Sequence, residues 1–184
     1  MGGAAKIVKN IRINRIIITY RTNDDKRTVK FFDAMEKRRL SSEVPSSDIE
    51  IGNESLSVLV SPPGKASYPD DEDNNSSLTV MVRCEGGSMF FAGDAVKYRM
   101  DEILSRNDLD ADVLKVPHHG TKLHRFDELL DKTSPVMAVI TSSDEEPADP
   151  ECSELLDLKG VKHFDTRDWG TFDIIFDEEG IRKK

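Results

Sequence analysis

Cysteine is nearly missing from this sequence: only Cys84 and Cys152 occur, far apart and in no C-x-x-C arrangement. That excludes a disulfide scaffold and a cysteine-rich structural zinc site. Long hydrophobic runs are missing as well. Stretches such as Ile16-Ile17-Ile18 are far too short to cross a bilayer, and no basic segment followed by an apolar one opens the chain, which reads as a soluble, cytoplasmic polypeptide. There is no excess of positive charge, since 26 Lys and Arg stand against 35 Asp and Glu for a net charge of −9. No general attraction to nucleic acid or to an anionic membrane follows, and any phosphate contact has to be local. Neither Gly-x-Gly-x-x-Gly nor Gly-x-x-x-x-Gly-Lys-Ser/Thr occurs, which removes the usual phosphate cradles of nucleotide-binding domains. Histidine is scarce, and none precedes His118.

What is present fits one domain over 1–184, long enough to bury a core without covalent staples. Arg15 to Tyr20 reads as a strand. Asn23-Asp24-Asp25 offers a side-chain cap to an amphipathic helix over Lys26 to Arg39, with Val29, Phe32 and Met35 as its apolar stripe and Phe31 beside them. Ile49 to Gly52 and Leu56 to Val60 read as strands, the second stopped by Pro62-Pro63. Leu78, Val80, Val82 and Cys84 alternate with more polar neighbours, Glu85-Gly86-Gly87 turns the chain, and Ser88 to Ala92 is the hairpin partner. Short helices are expected over Met100 to Leu104, His124 to Asp131 and Cys152 to Leu158. Further strands are expected at Asp112 to Val116, Val136 to Ile140, Val161 to Asp165 and Thr171 to Phe176. The run from Val136 to Ile140 is apolar throughout, as in a strand covered on both faces. A meander-like first part and a crossover-like later part give a layered α/β (α+β) domain. Its mixed sheet would hold the hairpin and the strands at Val113, Val136 and Phe172, with short helices on one side.

Two segments carry candidate chemistry. Val116-Pro117-His118-His119-Gly120-Thr121 places two of the four histidines side by side where a strand ends, before a glycine that lets backbone pass close to whatever the rings hold. Phe90-Phe91-Ala92-Gly93-Asp94 releases a second apolar strand through a glycine into a carboxylate. Strand ends are where α/β architectures place ligands, and imidazole with carboxylate suits zinc, manganese or iron. The plainer reading keeps Asp94 as a helix cap and the histidines as a hydrogen-bonded turn.

Four pieces in series resemble the metallo-β-lactamase fold superfamily, and within it the ComEC/Rec2-like hydrolase domain of competence proteins. They are Asp73-Asn74-Asn75-Ser76-Ser77-Leu78, Phe91-Ala92-Gly93-Asp94, Ala111 through Val116-Pro117-His118-His119-Gly120-Thr121, and Thr166-Arg167-Asp168-Trp169-Gly170-Thr171. Order and spacing agree over 49–175. The resemblance implies the C-terminal half of an αββα sandwich in which Asp94 is the bridging metal ligand and His119 the last histidine ligand. It makes His118 the catalytic residue that touches a substrate oxygen. The implied cofactor is a two-ion zinc site in the complete domain, with manganese or iron as alternatives. The superfamily's early H-x-H-x-D-H element has no counterpart here, and Asp24-Asp25, adjacent acids in a polar turn, do not replace it. The chain is therefore expected to begin near the end of the first half. Its expected function is that of a portion of a metal-dependent hydrolase acting on phosphodiester or related ester bonds. Metal binding would be weak or absent, and the isolated chain inactive. Expected partners are the missing N-terminal half or a second copy of the chain, on the sheet face left uncovered, with no membrane contact and no strong nucleic-acid binding. The alternative, from another function class, is a catalytically inactive protein-interaction module derived from such a hydrolase.

The remaining polar candidates read as structural. Asn74 and Asn75 hold a loop, Asp165 to Gly170 form a turn network around Arg167 and Asp168, and His124 and His163 are satisfied or exposed. The acids at 70–73 and 144–146 are solvated, and Cys84 sits on the apolar face of its strand.

Overall fold

The computed structural model describes residues 3–19 and 26–184, which divide into two compact units, Met1–Ser46 and Ser47–Lys184. The first holds helices α1 (Ala4–Asn10) and α2 (Lys26–Lys37), packed through Val8, Phe31, Ala34 and Met35. Two expectations change here. The buried line of α2 is Thr28, Phe31, Ala34 and Met35, and Val29 is exposed, because the large side chains at 31 and 35 select the face. Among its described residues the expected strand from Arg15 makes one bridge, Ile17 to Glu43, while Ile16 and Ile18 pack into the helical cluster; Tyr20 and the cap at Asn23 to Asp25 lie outside the described residues.

The second unit is a mixed α/β fold around a seven-stranded sheet whose spatial order is the chain order: β1 (Ile49–Gly52), β2 (Leu56–Ser61), β3 (Thr79–Cys84), β4 (Gly87–Phe91), β5 (Val113–Lys115), β6 (Met137–Ile140) and β7 (Lys162–Asp165). From β1 to β4 the pairing is antiparallel, and from β4 to β7 it is parallel. In the first half tight turns join β1 to β2 and β3 to β4, and a longer loop over 62–78 joins β2 to β3. Each parallel step needs a crossover, supplied by α4 (Lys97–Leu104), α5 (Phe126–Thr133) and α6 (Pro150–Leu158). Crossovers of one hand in sequential strand order put every helix on one side. There the register lines up Leu59, Met81, Phe90, Leu114 and Ala138 across the strands, and Met100, Ile103, Leu129, Cys152 and Leu156 close the core over them. All of β6 is buried, in keeping with its unbroken apolar run.

The opposite face is covered differently. The sequence reading had Thr171 to Phe176 as one strand of the main sheet. Instead β8 (Ile174–Asp177) pairs with β9 (Gly180–Lys183) in a separate hairpin. Its Ile174, Phe176 and Ile181, with Phe172 ahead of them, pack on Val113, Met137, Val139 and Phe164. Covering those four side chains buries more apolar surface than lengthening an edge would, so the aromatic segment lies across the sheet rather than beside it. Gly86 permits the approach, since a Cβ there would stand 2.6 Å from the backbone nitrogen of Asp177. Two short helices complete the unit, α3 (Glu72–Asn75) and α7 (Thr166–Trp169). No helix among the described residues is long and apolar enough to cross a membrane.

Leu114 is fully buried at the centre of the helix-side core. Leu114→Ala is expected to lower stability by about 2–5 kcal/mol through lost burial and a residual cavity. Urea denaturation checks it as a lower midpoint with an unchanged slope.

Candidate functional site

β4 and β5 are parallel neighbours, so the chain leaves both at the same edge of the sheet. Asp94 follows β4 through Gly93, which takes a φ of +65° and whose Cβ would lie 2.9 Å from the Leu78 carbonyl oxygen. After β5 the turn Pro117–Gly120 holds His118 (φ 46°) and His119 (φ 57°) in the left-handed region ahead of Gly120 (φ 83°). Two consecutive non-glycine residues there store backbone strain, about 1–3 kcal/mol each. The turn persists because it is pinned: the His118 N–H donates to the Gly93 carbonyl at 3.1 Å, and the Asp149 N–H donates to the Gly120 carbonyl at 3.0 Å.

The rings point to different partners. His119 Nδ1 lies 2.7 Å from the Thr141 carbonyl oxygen, which can only accept, so Nδ1 carries the proton. In the neutral ring the Nε2 lone pair then faces Asp94 Oδ1 at 3.5 Å. His118 Nδ1 lies 3.0 Å from the Thr121 carbonyl, and its Nε2 receives the Asn74 amide at 3.2 Å. Asp94 and His119 are thus brought together, while both His118 nitrogens are engaged within the chain. Lys115, which the sequence reading did not single out, comes to the same place. Its ammonium donates to the Gly93 carbonyl at 3.2 Å and stands 3.6 Å from Asp94 Oδ1. Burial pulls its pKa below the ordinary lysine value, and Asp94 offsets only part of that.

Behind these groups lies a buried cation. Arg99, 4% exposed, donates from Nε to the Ser77 carbonyl, from Nη2 to Ser61 O and Thr79 Oγ1, and from Nη1 to Glu102. Its backbone N–H goes to Asn75 Oδ1, while the Asn75 amide donates to the carbonyls of Asp70 and Asp71. Ser77 Oγ accepts the Asp94 N–H at 3.1 Å, so the Arg99 cluster is one bond removed from the carboxylate. The Asn-rich segment therefore holds its loop, as its sequence suggests. Glu102 also accepts from the Gly64 N–H and the Tyr68 hydroxyl. Burial pushes the Glu102 carboxyl up, but Gly64, Tyr68 and Arg99 together outweigh it and hold it below the usual range. Burial first, and then Glu102, push the Tyr68 phenol up to about 12.

The other candidates remain apart. Asp165 caps α7 through the Arg167 N–H and takes the Ser142 hydroxyl, and Arg167 pairs with Asp168 at 3.3 Å. His124 stands 3.5 Å from Asp101, and His163 stands 3.7 Å from Asp157. Cys84 donates to the Gly87 carbonyl. Buried Cys152 has its thiol pushed up to about 12, by burial and then by Asp165 and Asp149.

Arg99→Met is expected to cost about 3–5 kcal/mol, because it strands Glu102 and the carbonyls of Ser61 and Ser77. Denaturation midpoints give the measure. Since Tyr68 ionises later in the folded chain than in the unfolded one, its contribution is complete below pH 10 and is lost as the pH rises towards about 12. Tyr68→Phe should flatten that alkaline limb of stability against pH.

No protein-family model matches the sequence. The chain is 29% identical to the ComE operon protein 3 of Bacillus subtilis (strain 168) over 146 residues, which is 77% of this chain and 18% of that protein. The relationship is distant and partial, and it runs in the same direction as the resemblance read from the motifs.

Proposed function

We propose that Ser47–Lys184 is a portion of a metal-dependent hydrolase acting on phosphodiester or related ester bonds, and that it carries one end of the metal site, with Asp94 as bridging ligand and His119 as terminal ligand. The supporting observation is His119 Nε2 facing Asp94 Oδ1 at 3.5 Å while the Thr141 carbonyl holds the far ring nitrogen at 2.7 Å. A carbonyl on the far nitrogen is the usual way a ligating histidine is oriented. In this reading the sheet with its helices on one face is half of an αββα sandwich. The partly exposed Ile51, Val58, Val82 and Phe91, on the face away from those helices, belong to the surface that the other half covers. Similarity to part of a much longer protein accords with it.

The residues present do not complete a metal site. Among the described residues no group of three or more His, Cys, Asp or Glu could hold an ion, whereas zinc takes three or four protein ligands. With its ligand set incomplete, the isolated chain is proposed to be inactive. His118 is the proposed substrate-facing ring. Its Nδ1 is held by the Thr121 carbonyl, and its Nε2 would reach a substrate oxygen only by exchanging the Asn74 amide it now meets at 3.2 Å. A second reading, an inactive interaction module, is favoured by Lys115, whose ammonium already supplies positive charge beside Asp94.

Calorimetric titration with zinc of this chain, Asp94→Ala and His119→Ala tests the proposal. Weak binding that falls at least about tenfold in both variants is expected. A tight two-ion isotherm with turnover of a generic phosphodiester would overturn the half-site reading, and binding unaltered in both variants would overturn the ligand assignment.

A further inference from the structure

The sheet face away from the helices holds a cavity of about 720 Å³ between the main sheet and the returning segment ahead of β8. Its apolar walls are Met89 and Phe91 from β4, Val139 from β6, and Phe172, Ile174 and Phe176 from the returning segment, with Thr141, Thr166 and Thr171 lining it between them. Among the described residues that line it, one is a cation, Lys115. The register Phe91 to Lys115 to Val139 puts the Lys115 side chain on the same face as those walls.

Lys115 is poorly served for a buried ammonium. Its side chain is 14% exposed, it carries three donors, and the groups that face it are the Gly93 carbonyl at 3.2 Å and Asp94 at 3.6 Å, the latter beyond hydrogen-bond distance. Most of the cost of drying this cation is already met by the fold, so an anion reaching it gains attraction without that penalty. The opposing carboxylates are wetter. The Asp94 side chain is 43% exposed and Asp173 stands exposed at the cavity rim, where water and salt screen them.

We propose that this cavity binds an anion carrying an apolar, aromatic-sized body, of the aryl phosphate or aryl carboxylate class, with the body between Phe91, Phe172 and Ile174 and the anionic group on the Lys115 ammonium. Both halves of such a ligand are required. An inorganic anion forfeits the walls, and a neutral aryl compound leaves the cation unserved. A volume of this size lies in the range of sites that enclose small ligands, which bury most of an apolar body and orient it by a few polar groups. The site needs no metal and goes beyond the function proposed above, which gives Lys115 no ligand.

The test is fluorescence titration with 1-naphthyl phosphate, 1-naphthol and inorganic phosphate in the presence of a chelator, with the unlabelled full chain. Saturable binding of 1-naphthyl phosphate is expected, at least about tenfold tighter than that of 1-naphthol, with no saturation by inorganic phosphate. Lys115→Met should remove about tenfold of the affinity for the phosphate and leave naphthol unchanged. Lys115→Arg, which retains the cation, should stay within about threefold of the parent, and Phe172→Ala should weaken both aryl ligands. No binding, equal affinity for the two aryl compounds, or an unaltered Lys115→Met would overturn the proposal. So would a dimer that covers this face and excludes the probe. With metal chelated throughout, failure here leaves the Asp94 and His119 assignment standing, and failure of that assignment leaves this result standing.

Discussion

Arg99 is a permanent cation inside the helix-side core, and the loops around it are arranged to keep it satisfied. A guanidinium cannot shed its charge, so every donor it brings indoors has to find an acceptor. Those acceptors come from the end of β2, the start of β3, the Asn-rich segment and α4's own Glu102. The segments they belong to are joined by long loops with few hydrophobic anchors, and the carbonyls of Ser61 and Ser77 fix where those loops stop. Glu102 extends the same constraint outward through Gly64 and Tyr68. Replacement of the whole cluster by apolar groups of equal volume could be as stable, but the loop ends would lose their register.

That register reaches the Asp94 edge of the sheet. Ser77 offers its carbonyl to Arg99 and its hydroxyl to the Asp94 N–H, so the segment that satisfies the buried charge also fixes the backbone that carries the carboxylate. From the other side, the Gly93 carbonyl takes the His118 N–H and the Lys115 ammonium. One peptide group thus ties together the exits of two parallel strands, which explains how a doubly left-handed His118-His119 turn is held. The strain is local, and the bonds opposing it come from β4, from Thr141 beyond β6 and from the loop before α6.

Much of this was legible in the sequence, for identifiable reasons. The β3–β4 hairpin, β6 and the helices at 126–133 and 150–158 have strong periodicity and sharp stops, and they stand where those signals put them. The nearness of Asp94 and His119 was also readable, because a strand ending in glycine and acid and a strand ending in Pro-His-His need only be parallel neighbours. Other features had no local signal. Helix α3 lies in a stretch of four acids with no apolar stripe, and the strand-like isoleucines at 16–18 turn into packing for two helices. Arg99 and Lys115 look like ordinary surface cations until the acceptors around α4 and the register of β5 show which way they face. Phe172 to Phe176 alternate like any edge strand, and only the bare apolar patch of Val113, Met137 and Val139 makes lying across the sheet the better use of them.

The charge arrangement at Asp94 gives the two sides of the sheet edge a common logic. Its Oδ1 has an imidazole nitrogen 3.5 Å away on one side and an ammonium 3.6 Å away on the other, and neither is close enough to form a full hydrogen bond. A carboxylate left in that state draws positive charge, and a half-served lysine beside it draws negative charge. On the proposed readings, a cation taken by Asp94 and His119 would weaken the hold of Asp94 on Lys115 and free the ammonium for an anion in the cavity. Linkage makes the effect reciprocal, so an anion on Lys115 would raise the affinity of Asp94 for a cation by the same factor. Two adjacent sites, each marginal alone, would then favour a ligand pair of opposite charge over either ion by itself.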